Sequence, residues 1–291
     1  MQREAFIDVL FEAAKTDSRI IFMSADFGSP SLDLWRRDLP LQFIHCGISE
    51  QNMINVAVGL ALGGKRPYCF AMSPFFLRAF EQLKLAAFHG VPITVISVGA
   101  GLSYAGSGPT HYATEDVTCY RTLVNTEIYT ASTDNLARAI AGKSLTSRGL
   151  FIARLERGKT PEYYPDGFTA NEGYACLYDE SELIPGVDFT VAWRKTPCVA
   201  SGYLVPYLKS RGAKVIDCYR VKPFPQKLAI ELAEYPTVYA FDEQYPAGSA
   251  LLEALNDVGA KTRVVRKCLP ERAIYENGTR DELLEAYDFR A

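Results

Sequence analysis

The chain has 291 residues, 48% of them apolar and 22% charged, with a net charge of −3. That is an ordinary globular composition, long enough for one large domain or two. The interspersed charge excludes a nucleic-acid surface, and the lack of a leader or of an apolar run of ~18 residues predicts a cytoplasmic chain.

In chain order, short apolar runs alternate with helical stretches. Residues 19–25, 41–48, 66–72, 92–100, 127–132 and 149–155 read as strands. Several are apolar without alternation, as parallel strands covered on both faces are. Between them, 2–16, 50–62, 75–89 and 134–147 read as helices. This order predicts an α/β doubly wound domain. Gly63-Gly64 is placed to end the helix 50–62.

From Gly158 the character changes to a segment rich in Tyr, Pro, Gly and acids, read as a surface linker with room for a short hairpin. A second series follows, with strands at 197–202, 213–221, 237–243 and 261–267 and helices at 203–211, 225–235 and 248–258. The expected division is a first domain over 1–160, a linker over 161–188 and a smaller doubly wound domain over 189–291. The seven cysteines form no CxxC pair, so free, mostly buried thiols are expected and no metal site.

Three stretches can carry chemistry. The first is FIHCGISEQNMINVAVGLALGG, residues 43–64, where a strand gives way at Ser49 to a helix apolar almost all round. Ser49 suits an N-cap, and Glu50 falls in the first turn, where a negative charge is favoured. A desolvated carboxyl there also suits proton exchange with a bound base. The second is GAGLSYAGSGPTHYATED, residues 99–116, a glycine-rich loop after an apolar strand that carries His111. Ligands bind at the carboxyl ends of such strands. The loop meets neither phosphate-cradle pattern, and GLSYA falls one residue short of a nucleophile elbow with no histidine downstream of His111. In the third, residues 70–90, four phenylalanines read as core, with Phe75 or Phe76 free to stack on a planar ring.

Together these motifs resemble the pyrimidine-binding domain of transketolases and 1-deoxy-xylulose-5-phosphate synthases. The likeness runs through GISEQNM, SPFFLRAFEQL, GSGPTH and LFIARLERG into VASGYL and YAFDEQYPAGS, nearly the whole chain. It implies that Glu50 hydrogen-bonds the aminopyrimidine of thiamine diphosphate, helping the cofactor remove its own thiazolium C2 proton. It further implies Phe75 stacked on that ring, His111 beside the reacting carbon, and Asp26 and Ile48 near the cofactor. Arg154 would hold a substrate phosphate.

The family's GDG motif, which holds magnesium and diphosphate, is absent from this sequence. The resemblance therefore implies the C-terminal subunit of a split transketolase, active in an α2β2 assembly with a GDG-bearing partner that carries Mg2+. Ser107 stands where the family has an acidic residue, and Gly99 and Ala100 where it has a phosphate-binding His or Arg. These departures point to a modified sugar in a specialised pathway. Two alternatives stay open: the β subunit of a 2-oxo-acid dehydrogenase, and a non-catalytic subunit that keeps the fold.

Overall fold

A computed structural model describes all of the chain except residues 26–27, 179–195, 245–247 and 290–291. Asp26 and the linker beyond residue 178 thus lie outside the described residues.

The first unit holds α1 (Gln2–Ala14), β1 (Ile20–Ser24), α2 (Ser31–Asp38), β2 (Phe43–His45), α3 (Glu50–Leu62), β3 (Arg66–Met72) and α4 (Ser73–Phe76). It continues with α5 (Phe80–His89), β4 (Thr94–Val98), α6 (Asp116–Arg121), β5 (Thr126–Thr130), α7 (Asp134–Ser144) and β6 (Leu150–Leu155). The second unit holds β7 (Ala175–Cys176), β8 (Cys198–Ala200), α8 (Leu204–Lys209), β9 (Val215–Asp217), β10 (Arg220–Lys222) and α9 (Gln226–Leu232). It ends with β11 (Thr237–Asp242), α10 (Ser249–Asp257), β12 (Arg263–Cys268) and α11 (Arg280–Ala286).

The first sheet runs β10-β5-β6-β4-β3-β1-β2, and the second β12-β11-β8-β9-β7. Among the described residues every strand pairing is parallel except β10 on β5 and β7 on β9. Successive residues of a strand feed opposite faces, which explains the unbroken apolar runs. Phe22, Phe70 and Phe151 join α1 and α7 in one core, while Met23, Cys69 and Ile152 join α3 and α5 in the other.

Four expectations are corrected. The run 213–221 is two strands, β9 in the second sheet and β10 reaching back antiparallel to the first. Among the described residues of the linker, the segment 175–176 pairs with β9 rather than forming a local hairpin. Ser49 occupies the N-cap position of α3, but its hydroxyl donates to the Cys46 carbonyl, 2.7 Å away, and caps nothing. Finally, α3 is not buried all round: Met53, Ile54, Ala57 and Ala61 face the core, while Val56 and Leu62 are 40% and 63% exposed. All seven cysteines are free, with Cys69, Cys198 and Cys218 buried.

Candidate active site

The parallel sheet gathers the candidate residues at one edge. Glu50 follows β2, Phe75 follows β3, His111 lies in the loop after β4, and Arg157 follows β6. The carboxyl ends of parallel strands open there, free of the ladder and facing helix N-termini.

Glu50 opens α3 and is only 3% exposed. Its Oε2 accepts a 3.1 Å hydrogen bond from Nη1 of Arg78, whose side chain is 56% exposed. Among the described residues no hydrogen bond reaches Oε1. A buried carboxylate so thinly partnered keeps acceptor capacity for another donor. Arg78 also lies over the Phe75 ring, 5.6 Å from its centroid. Phe75 is half-buried whereas Phe76 is fully buried, so the structure selects Phe75 as the available ring.

The Phe75 ring meets the His111 imidazole edge-on at 5.8 Å. Thr110 Oγ1 lies 2.9 Å from His111 Nδ1, and the Tyr104 ring stands 6.1 Å from the imidazole. Arg157 covers Tyr104 at 4.7 Å. Glu50, Arg78, Phe75, His111, Tyr104 and Arg157 form one continuous arc. The loop takes this path through Gly99, whose φ of +92° leaves room for the Tyr104 ring where a Cβ would sit.

Ile48 is 74% exposed ahead of Ser49, and Ser107 is exposed on the short turn Ala105–Ser107. Arg154 does not face the arc as a free anchor. Its side chain is 6% exposed and its fork grips Asp116, Nε to Oδ2 at 2.8 Å and Nη2 to Oδ1 at 2.9 Å. Nη1 donates to Thr130 Oγ1 at 3.1 Å. The guanidinium presented at this end of β6 is that of Arg157, an exposed residue that the sequence reading passed over. Arg78 was passed over as well, although its spacing of three from Phe75 puts both on one helical face.

Residues 1–162 match the family described as transketolase, pyrimidine binding domain. The chain belongs to the transketolase family. An apulose-4-phosphate transketolase subunit of Phocaeicola vulgatus is 26% identical over 280 residues, covering 90% of this chain and 86% of that protein. A 6-deoxy-6-sulfo-D-fructose transketolase subunit of a Clostridium species is 27% identical, over 79% of this chain and 72% of that one. Human transketolase is 24% identical over 79% of this chain, which spans only 37% of its length. Among solved structures, a split-gene transketolase in an inactive β4 tetramer superposes with a TM-score of 0.80 at 25% identity, covering 98% of this chain and 93% of that one. The two mostly parallel sheets of this chain are thus those of the family. Among the described residues no helix is long and apolar enough to cross a membrane, and no cluster of His, Cys, Asp and Glu is arranged to hold a metal.

Proposed function

We propose that this chain is the C-terminal subunit of a split, thiamine-diphosphate-dependent transketolase. It would move a two-carbon ketol unit from a ketose-type donor to an aldehyde acceptor. The observation that carries the reading is the arc itself: a buried carboxylate with one free oxygen, an available phenylalanine face and an imidazole, side by side at the carboxyl edge of a parallel sheet. An aminopyrimidine that must be protonated at its ring nitrogen needs a carboxyl group at that nitrogen and a flat apolar face, so the residues present fit the cofactor.

When bound, the cofactor supplies the carbon nucleophile that carries the ketol unit. Glu50 would hold the ring nitrogen of the aminopyrimidine through Oε1 and share a proton with it away from water, while Arg78 fixes Oε2. Phe75 sets the plane of the ring. His111, steadied through Nδ1 by Thr110, offers Nε2 to the oxygen of the substrate carbonyl. Ile48 would border the cofactor and Ser107 the acceptor; Asp26, which the family resemblance also assigns to the cofactor, lies outside the described residues. Arg157, rather than the spent Arg154, is the anion anchor. A sugar bearing a phosphate or another anion at its far end fits that arrangement.

The diphosphate and its Mg2+ belong to a partner subunit carrying the GDG motif, and the assembly is α2β2. Two copies of this chain meet through the outer face of α3, where Val56 and Leu62 stand exposed. The work divides between a pyrimidine-binding domain over 1–160 and a C-terminal domain over 189–291, in the cytoplasm. The substrates named for the two split relatives support a modified sugar as substrate. The test is a coupled transfer assay on the reconstituted complex with hydroxypyruvate as donor and a panel of aldose phosphates. Transfer that disappears with Glu50→Gln supports the reading. Release of the donor's acyl unit to a lipoyl domain instead would move the chain to the dehydrogenase class, and unchanged activity in the variant would make the subunit non-catalytic.

A further inference from the structure

The loop that carries His111 is held from below by the C-terminal domain, and the contacts converge on Arg280. This residue opens α11, whose N-terminus is fixed by a capping box between Thr279 and Glu282. Its guanidinium is only 10% exposed and lies over the Tyr203 ring at 4.1 Å. Nε donates to Glu243 Oε1 at 2.7 Å, with Nη2 on Glu243 Oε2, and Nη1 donates to Glu156 Oε2 at 2.6 Å. Glu243 follows β11 and Glu156 follows β6, so one fork ties the carboxyl edges of both sheets.

Nη2 also donates to the backbone carbonyl of Ala100, 3.1 Å away, at the start of the His111 loop. The next residue, Gly101, has φ +56°, and a Cβ there would run into the Glu243 carboxylate. Gly101 O in turn accepts from Ala113 N at 2.9 Å, closing the loop two residues past His111. Tyr112 donates from its hydroxyl to the carbonyls of Ala105 and Glu276 at 3.1 and 3.3 Å, a second tie to the C-terminal domain. His111 thus stands next to a backbone clamped on both sides.

We propose that Arg280 is a positioning residue for the reaction: the C-terminal domain sets the place of His111 in the site through the fork of Arg280 on Glu156, Glu243 and Ala100. The bidentate geometry matters. A lysine keeps the charge but cannot reach two carboxylates and a carbonyl in one plane.

The test compares Arg280→Ala, Arg280→Lys and the exposed control Arg263→Ala in the full chain by amide hydrogen exchange, then in the reconstituted complex by turnover. The turnover arm rests on the transketolase reading; the exchange arm does not. Arg280→Ala is expected to speed exchange across residues 100–113 at least ~10-fold while residues 50–62 keep their protection. In the complex, kcat with hydroxypyruvate falls on the order of 100-fold, the loss a small misplacement of a reacting group causes, while thiamine diphosphate affinity is unchanged. Millimolar guanidinium ion restores part of that rate, and Arg280→Lys lies between. Unchanged exchange over 100–113 in both Arg280 variants overturns the inference, as does a rate loss matched by equal loss of cofactor affinity. A wild-type complex that transfers no ketol unit sinks the functional reading and leaves the exchange result to decide the role of Arg280.

Discussion

Two acids open helices at the same edge of the first sheet, and they are spent differently. Asp116 at the start of α6 is fully buried, gripped by both ends of the Arg154 fork, by Gln244 of the C-terminal domain at 2.9 Å, and by its neighbour Val117 N at 2.7 Å. Glu50 at the start of α3 is nearly as buried, yet among the described residues it has one half-exposed arginine on Oε2 and nothing on Oε1. The first is a closed joint between domains; the second is an acid held in reserve. Burial alone does not mark a functional carboxylate. What separates these two is the number of partners each has among the described residues.

The comparison can be broken at either end. Glu50→Gln should cost the reconstituted enzyme about 10²–10⁴-fold in turnover, the range for losing a proton-transfer group, with the chain's thermal midpoint nearly unmoved. Asp116→Ala should do the reverse. It strands the buried Arg154 charge and should lower unfolding free energy by about 3–5 kcal/mol in urea titrations. A stable Asp116→Ala chain would show that the joint is not structural.

Asp217 sharpens the contrast as a third buried acid. Its Oδ2 accepts from Ser132 at 2.5 Å and Tyr164 at 2.8 Å, while Oδ1 has no partner among the described residues. Burial pushes its carboxyl up from 3.8 to about 7. The folded state therefore binds the proton more tightly than the unfolded one. Its contribution is full below pH ~4 and is lost as pH rises toward 7. Asp217→Asn should flatten that window and stabilise the chain at pH 8 by about 1–3 kcal/mol, read from unfolding curves at several pH values.

Smaller effects test the arc. Arg157→Ala should raise KM for an anionic acceptor about 10–100-fold with kcat little changed, the loss of one charge-assisted hydrogen bond. The same change at Arg154 should instead destabilise the fold. Phe75→Leu should weaken thiamine diphosphate binding by about 0.5–1.5 kcal/mol, the stacking increment of an aromatic ring.

Much of this was legible in the sequence, because the strongest signals were local. Unbroken apolar runs located every long strand of the first sheet, and α3 starts and ends where its pattern does. The elements that were missed have weak patterns: α2, SLDLWRRD, buries only Leu32 and Trp35, and α6 and α11 are a turn or two long. The run 213–221 read as one strand because no residue type marks the bend that sends β10 to the other sheet. For the candidate arc, motifs singled out Glu50, Phe75 and His111, whereas the places of Arg154 and Arg157 depend on where β6 ends. Arg154 still lies inside the strand, paired in register with Thr130 and Ser97, and Arg157 lies beyond it. Since ligands gather past the last strand residue, that rule favours Arg157 over Arg154 as the proposed anchor. Arg280 had no local signal at all, because its partners lie 37, 124 and 180 residues away.

The most direct measurement is calorimetry of thiamine diphosphate with Mg2+, titrated into this chain alone and into its mixture with a GDG-bearing subunit, for wild type and Glu50→Gln. Binding in the wild-type mixture only, and weakened by the substitution, is the expected result. Tight binding to the chain alone, or none in the mixture, would contradict the assignment of the arc as half of a shared cofactor site.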